Sequence, residues 1–326
     1  MESLRIALGT FPTPAHRVQG LSSLSGELWV KRDDASARGY GGNKVRKLEM
    51  ILAAAREQGR SRLITVGAAG SHHVLATAYF GARAGFGVDA VLVPQIATPH
   101  VIENLRADLA LGVRVTVAST FPSAALHVLA EKRSDAFYVH LGGSSVVGTL
   151  GYVRAAAELA LQIRNGECDL PDEIVVALGS GGTMAGLLVG FAKVGLAIRV
   201  RGVCISTPPQ VLGRMMRHLV KKVAKREGVD PRLALSNGLV DEAWVGKGYG
   251  SPTKEGDSAH LEGAAVGLTL DATYTAKAFA AALHVARTTP QRVLFWHTLS
   301  SAPMAPLLED APSEESVRRE YRSLLL

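Results

Sequence analysis

From residue 63 onward, the chain alternates short runs of β-branched and aliphatic residues with longer stretches in which apolar residues recur every three or four positions. The short runs are typical of buried strands and the long stretches of helices. Strands are predicted at residues 63–67, 88–94, 113–117 and 136–140, and helices at 71–84, 99–111 and 122–132. Because single helices separate successive strands, the pattern predicts β-α-β units and a parallel sheet.

A second group of elements follows a segment rich in Gly and Ser at residues 141–149. Its helices are predicted at residues 150–165, 184–194 and 209–228, and its strands at 173–178, 198–205, 239–245 and 292–297. We therefore expect an α/β protein of two three-layer domains with parallel-type sheets. The larger domain would comprise residues 1–46 and 150–326, and the smaller one residues 47–149. We expect the active site in the cleft between them, where small-molecule sites usually lie.

The composition is that of a folded protein. Of 326 residues, 47% are hydrophobic and 6% aromatic, and the 34 glycines show no three-residue period. These values exclude a disordered or collagen-like chain. Lysine and arginine exceed the acidic residues by 7, which raises the question of an anionic ligand or partner.

The densest basic cluster has a spacing of three to four residues, which predicts the solvated face of one helix. It consists of Arg214, Arg217, Lys221, Lys222, Lys225 and Arg226. Nucleic-acid binding is a second interpretation, but no aromatic residue interleaves with these charges and no reader motif accompanies them. We therefore expect no nucleic-acid partner.

The sequence favours a cytoplasmic protein without a membrane span or a metal site. No basic region followed by a long apolar run begins the chain, so no signal peptide is predicted. The uncharged stretch at residues 174–192 has Gly-Ser-Gly-Gly-Thr at its centre, which would break a helix in lipid. Cys168 and Cys204 have neither zinc nor redox spacing, so we expect reduced thiols.

Lys44 is the first candidate for chemistry. It follows two glycines and Asn43, just before a helix predicted at residues 48–58. At the positive end of a helix the pKa of an amine is lowered, which favours attack on an aldehyde. The alternative is that Lys44, Arg46 and Lys47 are ordinary surface charges. That alternative leaves unexplained why three cations lie where the helix dipole disfavours them.

A glycine-rich turn at residues 179–183, Gly-Ser-Gly-Gly-Thr, is the second candidate. It follows a predicted strand and opens a predicted helix, so its amides and hydroxyls could cradle a phosphate. It is not a dinucleotide-binding fingerprint, because Met184 stands where that motif requires glycine. A tight turn without a ligand would look the same. Together, an activated lysine and a phosphate cradle suggest pyridoxal phosphate, whose aldehyde and phosphate need these two features.

The stretch at residues 13–49 resembles the D-cysteine desulfhydrase and 1-aminocyclopropane-1-carboxylate deaminase family of pyridoxal-phosphate enzymes. The similarity is strongest in KRDD (31–34) and GGNKVRKLE (41–49). It continues through GAAGSHH (67–73), GSGGT (179–183), VGKGYGSPT (245–253), DATYTAK (271–277) and HT (297–298). The resemblance implies fold type II, the tryptophan-synthase-β-like fold. It also implies pyridoxal 5'-phosphate as cofactor, a small amino-acid substrate and a homodimer.

The resemblance assigns roles to residues in several of these motifs, and Lys44 would both form the Schiff base and remove the Cα proton. The residues with predicted catalytic roles are Lys44, Ser71, Tyr249 and Tyr274. The residues predicted to bind the cofactor are Lys44, Asn43, His72, Ser180, Gly181, Gly182, Thr183 and Thr275. The residues predicted to bind the substrate are Ser71, His72, His73, Tyr249 and Leu299.

Thr275 favours one reaction of this family. Ring-opening deaminases carry Glu facing the pyridine nitrogen at this position, and desulfhydrases carry Thr. A neutral hydroxyl leaves the nitrogen mostly unprotonated and the electron sink weaker, which suits expulsion of a leaving group. We therefore predict α,β-elimination from a small β-substituted amino acid, as by D-cysteine desulfhydrase, giving keto acid, ammonia and sulfide. The alternatives are elimination from cysteate, deamination of 1-aminocyclopropane-1-carboxylate, and a cofactor-binding protein without turnover.

Two segments depart from the family pattern. The usual Gln-Ser-Asn is Gly70-Ser71-His72 here, so His72 replaces an Asn and Gly70 is expected to open space beside it. Because His72 can become cationic near neutral pH, a bulkier or more anionic β-substituent would be admitted. The usual HTGGAP is HTLSSAP at residues 297–303, and we expect Leu299 to narrow the floor of the site.

Overall fold

The computed structural model describes residues 5–131 and 135–326, so the predicted helix end at Lys132 lies outside the described residues. Its strands are β1 (Ala15–Arg17), β2 (Glu27–Arg32), β3 (Arg62–Ala68), β4 (Gly87–Val93), β5 (Arg114–Val117), β6 (Ala136–Val139), β7 (Glu173–Leu178), β8 (Arg199–Cys204), β9 (Gly238–Asp241) and β10 (Arg292–His297). Its helices are α1 (Asn43–Glu57), α2 (His72–Arg83), α3 (Pro99–Ala110), α4 (Phe121–Glu131), α5 (Val146–Arg164), α6 (Gly182–Lys193), α7 (Pro209–Glu227), α8 (Pro231–Ser236), α9 (Lys254–Ala265), α10 (Thr275–Thr288) and α11 (Glu314–Glu320).

The chain divides into two compact units. The large unit comprises Gly9–Lys47 and Val146–Ser301, and the small unit Met1–Leu8, Leu48–Ser145 and Ala302–Leu326. The sequence places residues 5–8 and 302–326 in the larger domain, whereas here they group with the small unit. At the C-terminal end, the N–H of Gln95 donates to the carbonyl of Leu324 at 3.0 Å, and Arg106 Nε to the carbonyl of Pro312 at 2.7 Å. These bonds tie the C-terminal segment to the small unit.

The sheet of the small unit has four parallel strands in the order β5-β4-β3-β6. Helix α2 packs on one face through Gly81, where an added Cβ would lie 2.9 Å from the Leu63 and Val88 side chains. Helix α4 covers the other face through Ala124 and Val128, which belong to a buried cluster with alternate residues of β3 and β4. The small unit therefore has the three layers that the sequence predicts.

The sheet of the large unit has six strands in the order β1-β2-β10-β7-β8-β9, and all neighbours are parallel except β1 and β2. Helix α10 packs on one face, where Phe279 lies 5.1 Å from Phe295 between ring centroids. Helix α6 packs on the opposite face, with Met184 against Gly202 of β8. The predicted α/β architecture is therefore confirmed in the large unit as well.

Two helices begin earlier than the sequence pattern indicates. Helix α1 begins at Asn43 rather than at residue 48, and α5 at Val146 rather than at residue 150. The glycines in α5 allow close approach to other backbone, since a Cβ on Gly151 would overlap the carbonyl of Arg46. Close packing of α5 on the backbone of α1 thus explains why a glycine stands at this position inside the helix.

Helix α7 has the amphipathic character that its sequence predicts. All six residues of the basic cluster are exposed, whereas Met216, Leu219 and Val223 are buried. Within residues 5–131 and 135–326, no helix is long and apolar enough to cross a membrane.

Candidate cofactor site

Lys44 lies in the first turn of α1 with its side chain half-buried. Its Nζ donates a hydrogen bond to Asn43 Oδ1 at 2.6 Å, and Asn43 Nδ2 donates to Thr183 Oγ1 at 3.1 Å. Desolvation lowers the pKa of Lys44 to about 8, although the negative charge of Asp271 opposes this shift. A substantial fraction of the amine is therefore neutral near physiological pH, as attack on an aldehyde requires. The structure brings three predicted cofactor ligands together here.

The interpretation of Lys44, Arg46 and Lys47 as ordinary surface charges is wrong. Arg46 is 4% exposed and Lys47 is 2% exposed. Arg46 donates to both carboxylate oxygens of Asp33 and to both of Glu158, at 2.8 to 2.9 Å. Two carboxylates thus fix the guanidinium of Arg46, which lies two residues after Lys44 in the same helix. Arg46 therefore helps to hold the first turn of α1 in place.

Asp33 holds the loop before Lys44 from two directions. Its main-chain carbonyl accepts the N–H of Gly42 at 2.8 Å, while its carboxylate binds Arg46. The same carboxylate accepts hydrogen bonds from Tyr152 Oη at 2.7 Å and from Trp296 Nε1 at 2.8 Å. Burial alone would raise the pKa of Asp33, but the charge of Arg46 reverses the effect and lowers it. Asp33 was not among the residues predicted from the sequence to have a role, although it lies in the KRDD motif.

The glycine-rich turn at residues 179–183 connects β7 to α6. Gly181 has φ of 86°, in the left-handed region, and an added Cβ would lie 2.9 Å from Met216 Cα, so only glycine fits. Helix α6 begins at Gly182, and Thr183 lies in its first turn. The positive end of a helix stabilises a bound anion. Ser180, which precedes this start, completes the predicted phosphate cradle.

The segment that departs from the family pattern near the C-terminus packs on the loop before Lys44. The N–H of Asn43 donates to the carbonyl of Thr298 at 3.0 Å, and Ser300 Oγ accepts the N–H of Gly41 at 2.9 Å. Gly42 has φ of 89°, and a Cβ there would lie 2.8 Å from the carbonyl oxygen of Thr298. A serine that replaces a family glycine therefore contributes a bond to this loop. The narrowing effect expected of the adjoining Leu299 stays a prediction.

Thr275 is 1% exposed and is bound to Asp271. Its hydroxyl donates to Asp271 Oδ1 and accepts the main-chain N–H of Asp271, each at 2.7 Å. The Asp271 carboxylate also accepts the N–H groups of Thr273, Tyr274 and Thr275 at 2.8 to 3.0 Å, so it caps the start of α10. The prediction from Thr275 treats its hydroxyl as neutral and isolated, whereas the structure places the Asp271 carboxylate directly beside it.

Tyr249 and Tyr274 form a pair next to the glycine-rich turn. Tyr274 Oη donates to Tyr249 Oη at 3.1 Å, and the rings meet edge to face with centroids 5.9 Å apart. A Cβ on Gly179 would lie 3.4 Å from Tyr274 Cε1. Desolvation raises the pKa of both phenols, so both are protonated near neutral pH. Because the Tyr249 hydroxyl accepts the hydrogen bond from Tyr274, its own hydrogen remains available to donate to another group.

Lys277 is a fully buried residue of this region to which the sequence analysis assigned no role. Its Nζ donates to the carbonyls of Val245 at 2.9 Å and Gly248 at 3.1 Å, in the segment that carries Tyr249. A lysine in the first turn of a helix opposes the dipole. A lysine in the first turn of a helix, the feature that drew attention to Lys44, is therefore found again at Lys277.

Ser71, His72 and His73 lie at the start of α2 in the small unit. Ser71 immediately precedes the helix, but its hydroxyl makes no capping hydrogen bond. The His72 ring lies 4.6 Å from that of His100 between centroids. His73 is 4% exposed, and its Nε2 lies 2.9 Å from Thr65 Oγ1. Their predicted contacts with substrate and cofactor stay predictions.

Gly70 does not open space, contrary to the sequence argument. An added Cβ would lie 2.8 Å from Val101 Cα, because α3 occupies that position. Asn104 Nδ2 donates to the carbonyl of Gly70 at 2.9 Å, and Gln95 Oε1 accepts its N–H at 3.1 Å. The missing side chain thus permits close packing of α3.

The groups gathered in the large unit fit pyridoxal phosphate. Lys44 supplies an amine of lowered pKa for the aldehyde. A turn that a Cβ at Gly181 would obstruct leads into a helix start suited to the phosphate. Asn43 links the two, since it bonds both Lys44 and Thr183.

Comparison with known proteins agrees with this fit. The sequence profile of the pyridoxal-phosphate dependent enzymes matches residues 6–298. A Pyrococcus furiosus protein provisionally named 1-aminocyclopropane-1-carboxylate deaminase is 35% identical over 306 residues, which are 90% of this chain and 91% of that protein. Nocardicin C-9' epimerase of Nocardia uniformis subsp. tsuyamanensis is 33% identical over 322 residues, 95% and 97% of the two chains.

Two further matches have the names that the sequence resemblance suggests. D-cysteine desulfhydrase of Salmonella paratyphi B is 34% identical over 291 residues, 85% of this chain and 86% of that enzyme. The crystal structure of an ACC deaminase homologue superposes with a TM-score of 0.82 at 29% identity, covering 95% of this chain and 97% of the other. The lysine, the glycine-rich turn and these matches together show that the chain belongs to the family of pyridoxal-phosphate dependent enzymes, with their type II fold.

Proposed function

We propose that this protein is a carbon-sulfur lyase that eliminates the β-substituent of a small amino acid, with D-cysteine as the model substrate and keto acid, ammonia and sulfide as products. One observation carries the proposal. The Lys44 amine, with its pKa lowered to about 8, is held by Asn43 beside the glycine-rich turn. The D-cysteine desulfhydrase of Salmonella paratyphi B, 34% identical, supports the substrate class.

Lys44 has two tasks in this proposal. It binds the cofactor covalently, and its Nζ takes the proton from the substrate Cα, since an amine with a pKa near 8 can hold and release a proton close to neutral pH. Asn43 orients Nζ through the bond to its Oδ1. The cofactor, when bound, supplies the electron sink that stabilises negative charge at Cα. Ser180, Gly181, Gly182 and Thr183 would bind its phosphate, and Thr275 would face its ring nitrogen.

Tyr249 is the proposed hydrogen-bond donor to the leaving sulfur. Its hydroxyl accepts from Tyr274 and keeps its own proton, and desolvation keeps the pKa of the phenol high. Its side chain remains 41% exposed, so a substrate group can reach it. We further propose that Ser71, His72, His73 and Leu299 contact the substrate, and that His72 favours an anionic group such as the sulfonate of cysteate.

Deamination of 1-aminocyclopropane-1-carboxylate is a second candidate function. The observation that favours it is the Asp271 carboxylate bonded to Thr275 at 2.7 Å, which brings a negative charge close to the position where ring-opening enzymes carry Glu. The Pyrococcus furiosus relative has the corresponding name. Thr275 itself, as a neutral side chain, still favours elimination.

We also propose a homodimer in the cytoplasm. Cys168 and Cys204 are free and buried, as in a reducing compartment. Helix α4 exposes Phe121, Leu126 and Leu129, the two leucines by more than two-thirds of their surface, which supports contact with a second copy. Light scattering after size-exclusion chromatography measures the mass, and a monomer at micromolar concentration would contradict the proposal.

The decisive experiment is a substrate panel with the purified, cofactor-loaded protein. D-cysteine, L-cysteine, β-chloroalanine, cysteate and 1-aminocyclopropane-1-carboxylate are each assayed for keto-acid release, with sulfide measured separately. We expect a yellow protein that absorbs at about 420 nm and releases sulfide from cysteine. Lys44→Ala should remove the colour and the activity, while Lys254→Ala, the same change at an exposed lysine, should retain both. Turnover of the cyclopropane substrate alone would overturn the lyase proposal, as would exchange of the Cα hydrogen without keto acid.

A further inference from the structure

Lys277 is placed where a cation is least expected. Its side chain is fully buried, and it is the third residue of α10. Burial removes the ammonium from water, and the positive end of a helix repels it. Desolvation accordingly lowers the pKa of Lys277, and the negative charge of Asp271 opposes this shift. A lysine that neither burial nor helix position favours calls for another explanation.

The partners of Lys277 indicate what it does. Its Nζ donates to the carbonyl of Val245 at 2.9 Å and to that of Gly248 at 3.1 Å. The N–H of Gly248 also donates to the carbonyl of Val245, at 3.2 Å, so these two residues close a turn. One ammonium therefore bonds to both ends of the same turn.

Besides the bond between Gly248 and Val245, the turn has a backbone hydrogen bond from the N–H of Ser251 to the carbonyl of Gly248, at 3.3 Å. It lies between β9 and α9, in a segment without helix or strand. Gly246, Gly248 and Gly250 have φ of 59°, 115° and 75°, so three glycines in five residues adopt positive φ. Glycine loses the most conformational freedom on folding, so such a segment is ordered only if outside bonds hold it. Lys277 provides two of them.

Tyr249 immediately follows the turn, and its hydroxyl is held from the same helix. Tyr274 Oη, one turn before Lys277, donates to Tyr249 Oη at 3.1 Å. The start of α10 thus holds Tyr249 at two points, its hydroxyl through Tyr274 and its preceding backbone through Lys277.

We propose that Lys277 is a positioning residue, which bonds the turn at Val245–Gly248 to α10 so that the Tyr249 hydroxyl stays on Tyr274 and faces the substrate. The effect on turnover rests on the role of Tyr249 proposed above. The effect on the turn does not, so the two can be tested separately.

Trypsin cleavage after Lys247 tests the effect on the turn. Lys247 is exposed and lies inside the turn, so cleavage there reports how often the turn opens. In Lys277→Met we expect cleavage at this bond, followed by mass spectrometry, to be at least about tenfold faster than in the wild-type protein. Lys254→Met, the same change at an exposed lysine, should keep the wild-type rate. Equal rates in Lys277→Met and wild type would overturn the proposal.

A second variant covers the case in which Lys277→Met does not fold. Lys277→Gln keeps N–H donors but loses the charge and some reach. We expect it to fold, as judged by circular dichroism, and to be cleaved after Lys247 at a rate above that of the wild-type protein. A wild-type cleavage rate in folded Lys277→Gln would show that the ammonium does not hold the turn.

A double-mutant cycle tests whether Lys277 acts through Tyr249. We expect Lys277→Met to lower kcat/KM about tenfold or more in the wild-type background, and less than about threefold in Tyr249→Phe, because the hydroxyl being positioned is already gone. Equal losses in both backgrounds would overturn the link to Tyr249. If no substrate of the panel is turned over, the proposed function fails, and cleavage after Lys247 still decides whether Lys277 holds the turn.

Discussion

Thr275 and Asp271 form a closed pair at the start of α10, in which the Thr275 hydroxyl donates to Asp271 Oδ1 and accepts the main-chain N–H of Asp271, each at 2.7 Å. A hydroxyl has one proton and two lone pairs. With the proton and one lone pair in use, Thr275 has a single lone pair left. A third group that binds Thr275 without disturbing the pair must therefore be a hydrogen-bond donor, whereas an unprotonated ring nitrogen would bind only if the hydroxyl turned its proton away from Asp271.

The stability of the protein should depend on this pair. Thr275→Val removes both hydrogen bonds and leaves the Asp271 N–H without its partner, so we expect a loss of about 1–2 kcal/mol in the free energy of unfolding. Thr275→Ser keeps the hydroxyl and should lose less than about 0.5 kcal/mol. Urea unfolding followed by circular dichroism measures both. Equal losses for the two variants would contradict a role for the hydroxyl.

The rate at which cofactor-free protein takes up pyridoxal phosphate should rise with pH and level off above about pH 8. Only the neutral amine attacks the aldehyde, and the pKa of Lys44 is lowered to about 8. Compared with an ordinary lysine of pKa 10.5, the neutral fraction at pH 7 is roughly 300-fold larger. Stopped-flow absorbance between pH 6 and 10 measures the profile. A rate still rising steeply at pH 10 would show that the pKa is not lowered.

The charge of Asp271 gives this profile an internal control. Because that charge raises the pKa of Lys44 against desolvation, Asp271→Asn should move the midpoint of the profile below pH 8. Asparagine retains an oxygen that can accept the capping N–H groups. An upward displacement of the midpoint would contradict this electrostatic account.

Two glycines with positive φ should respond differently to alanine. Gly42 has φ of 89° and Gly59 of 66°, so alanine is strained at both, by roughly 1–2 kcal/mol. Of the two, only Gly42 would bring the new methyl into collision, 2.8 Å from the carbonyl oxygen of Thr298. At Gly59, no atom of another described residue, its chain neighbours apart, lies within 4 Å of an added Cβ. We expect Gly42→Ala to be the more destabilising by at least about 2 kcal/mol and to reduce cofactor content. Thermal unfolding and absorbance measure the two effects, and similar behaviour of both variants would exclude the collision.

Asp108 should make stability depend on pH. It is fully buried in α3, and neither carboxyl oxygen has a hydrogen-bond partner among the described residues. Desolvation raises its pKa well above the ordinary value, so the folded protein keeps it protonated where the unfolded chain ionises it. Above about pH 4, this removes up to about 1.4 kcal/mol of stability per pH unit until the raised pKa is reached.

Asp108→Asn keeps the shape of the side chain without the ionisation. We therefore expect the variant to gain stability over the wild-type protein as pH rises from 4.5 toward 7, whereas the two should be similar near pH 4. Urea unfolding at several pH values measures the difference. A difference that does not change with pH would show that Asp108 is ionised in the folded protein.

The sequence predicts those elements whose signal is local. The strand predictions at 173–178 and 292–297 match β7 and β10 to the residue, because continuous apolar runs mark a strand buried on both faces. Strand β1 has three residues and was not predicted, since it exists by pairing antiparallel with β2. Its formation depends on a partner that no pattern within three residues reveals.

The site shows the same limit. Lys44 and the glycine-rich turn could be predicted because their chemistry depends on neighbours in sequence, namely glycines and a helix start. The contacts of Lys277 are with carbonyls 29 and 32 residues away, and those of Arg46 with carboxylates 13 and 112 residues away. Side chains that reach so far along the chain gain their role only from the folded arrangement.

The two bonds by which Asp33 fixes the loop before Lys44 also explain the role of residues 31–49, where the family resemblance is strongest. The carbonyl of Asp33 binds the N–H of Gly42, and its carboxylate binds Arg46. The motifs within residues 31–49 therefore serve to position Lys44. None of these bonds involves the part of a substrate that changes from one reaction to another. Such a stretch can pass unaltered between enzymes with different chemistry, so its presence identifies the cofactor, and the substrate has to be sought in residues such as His72 and Tyr249.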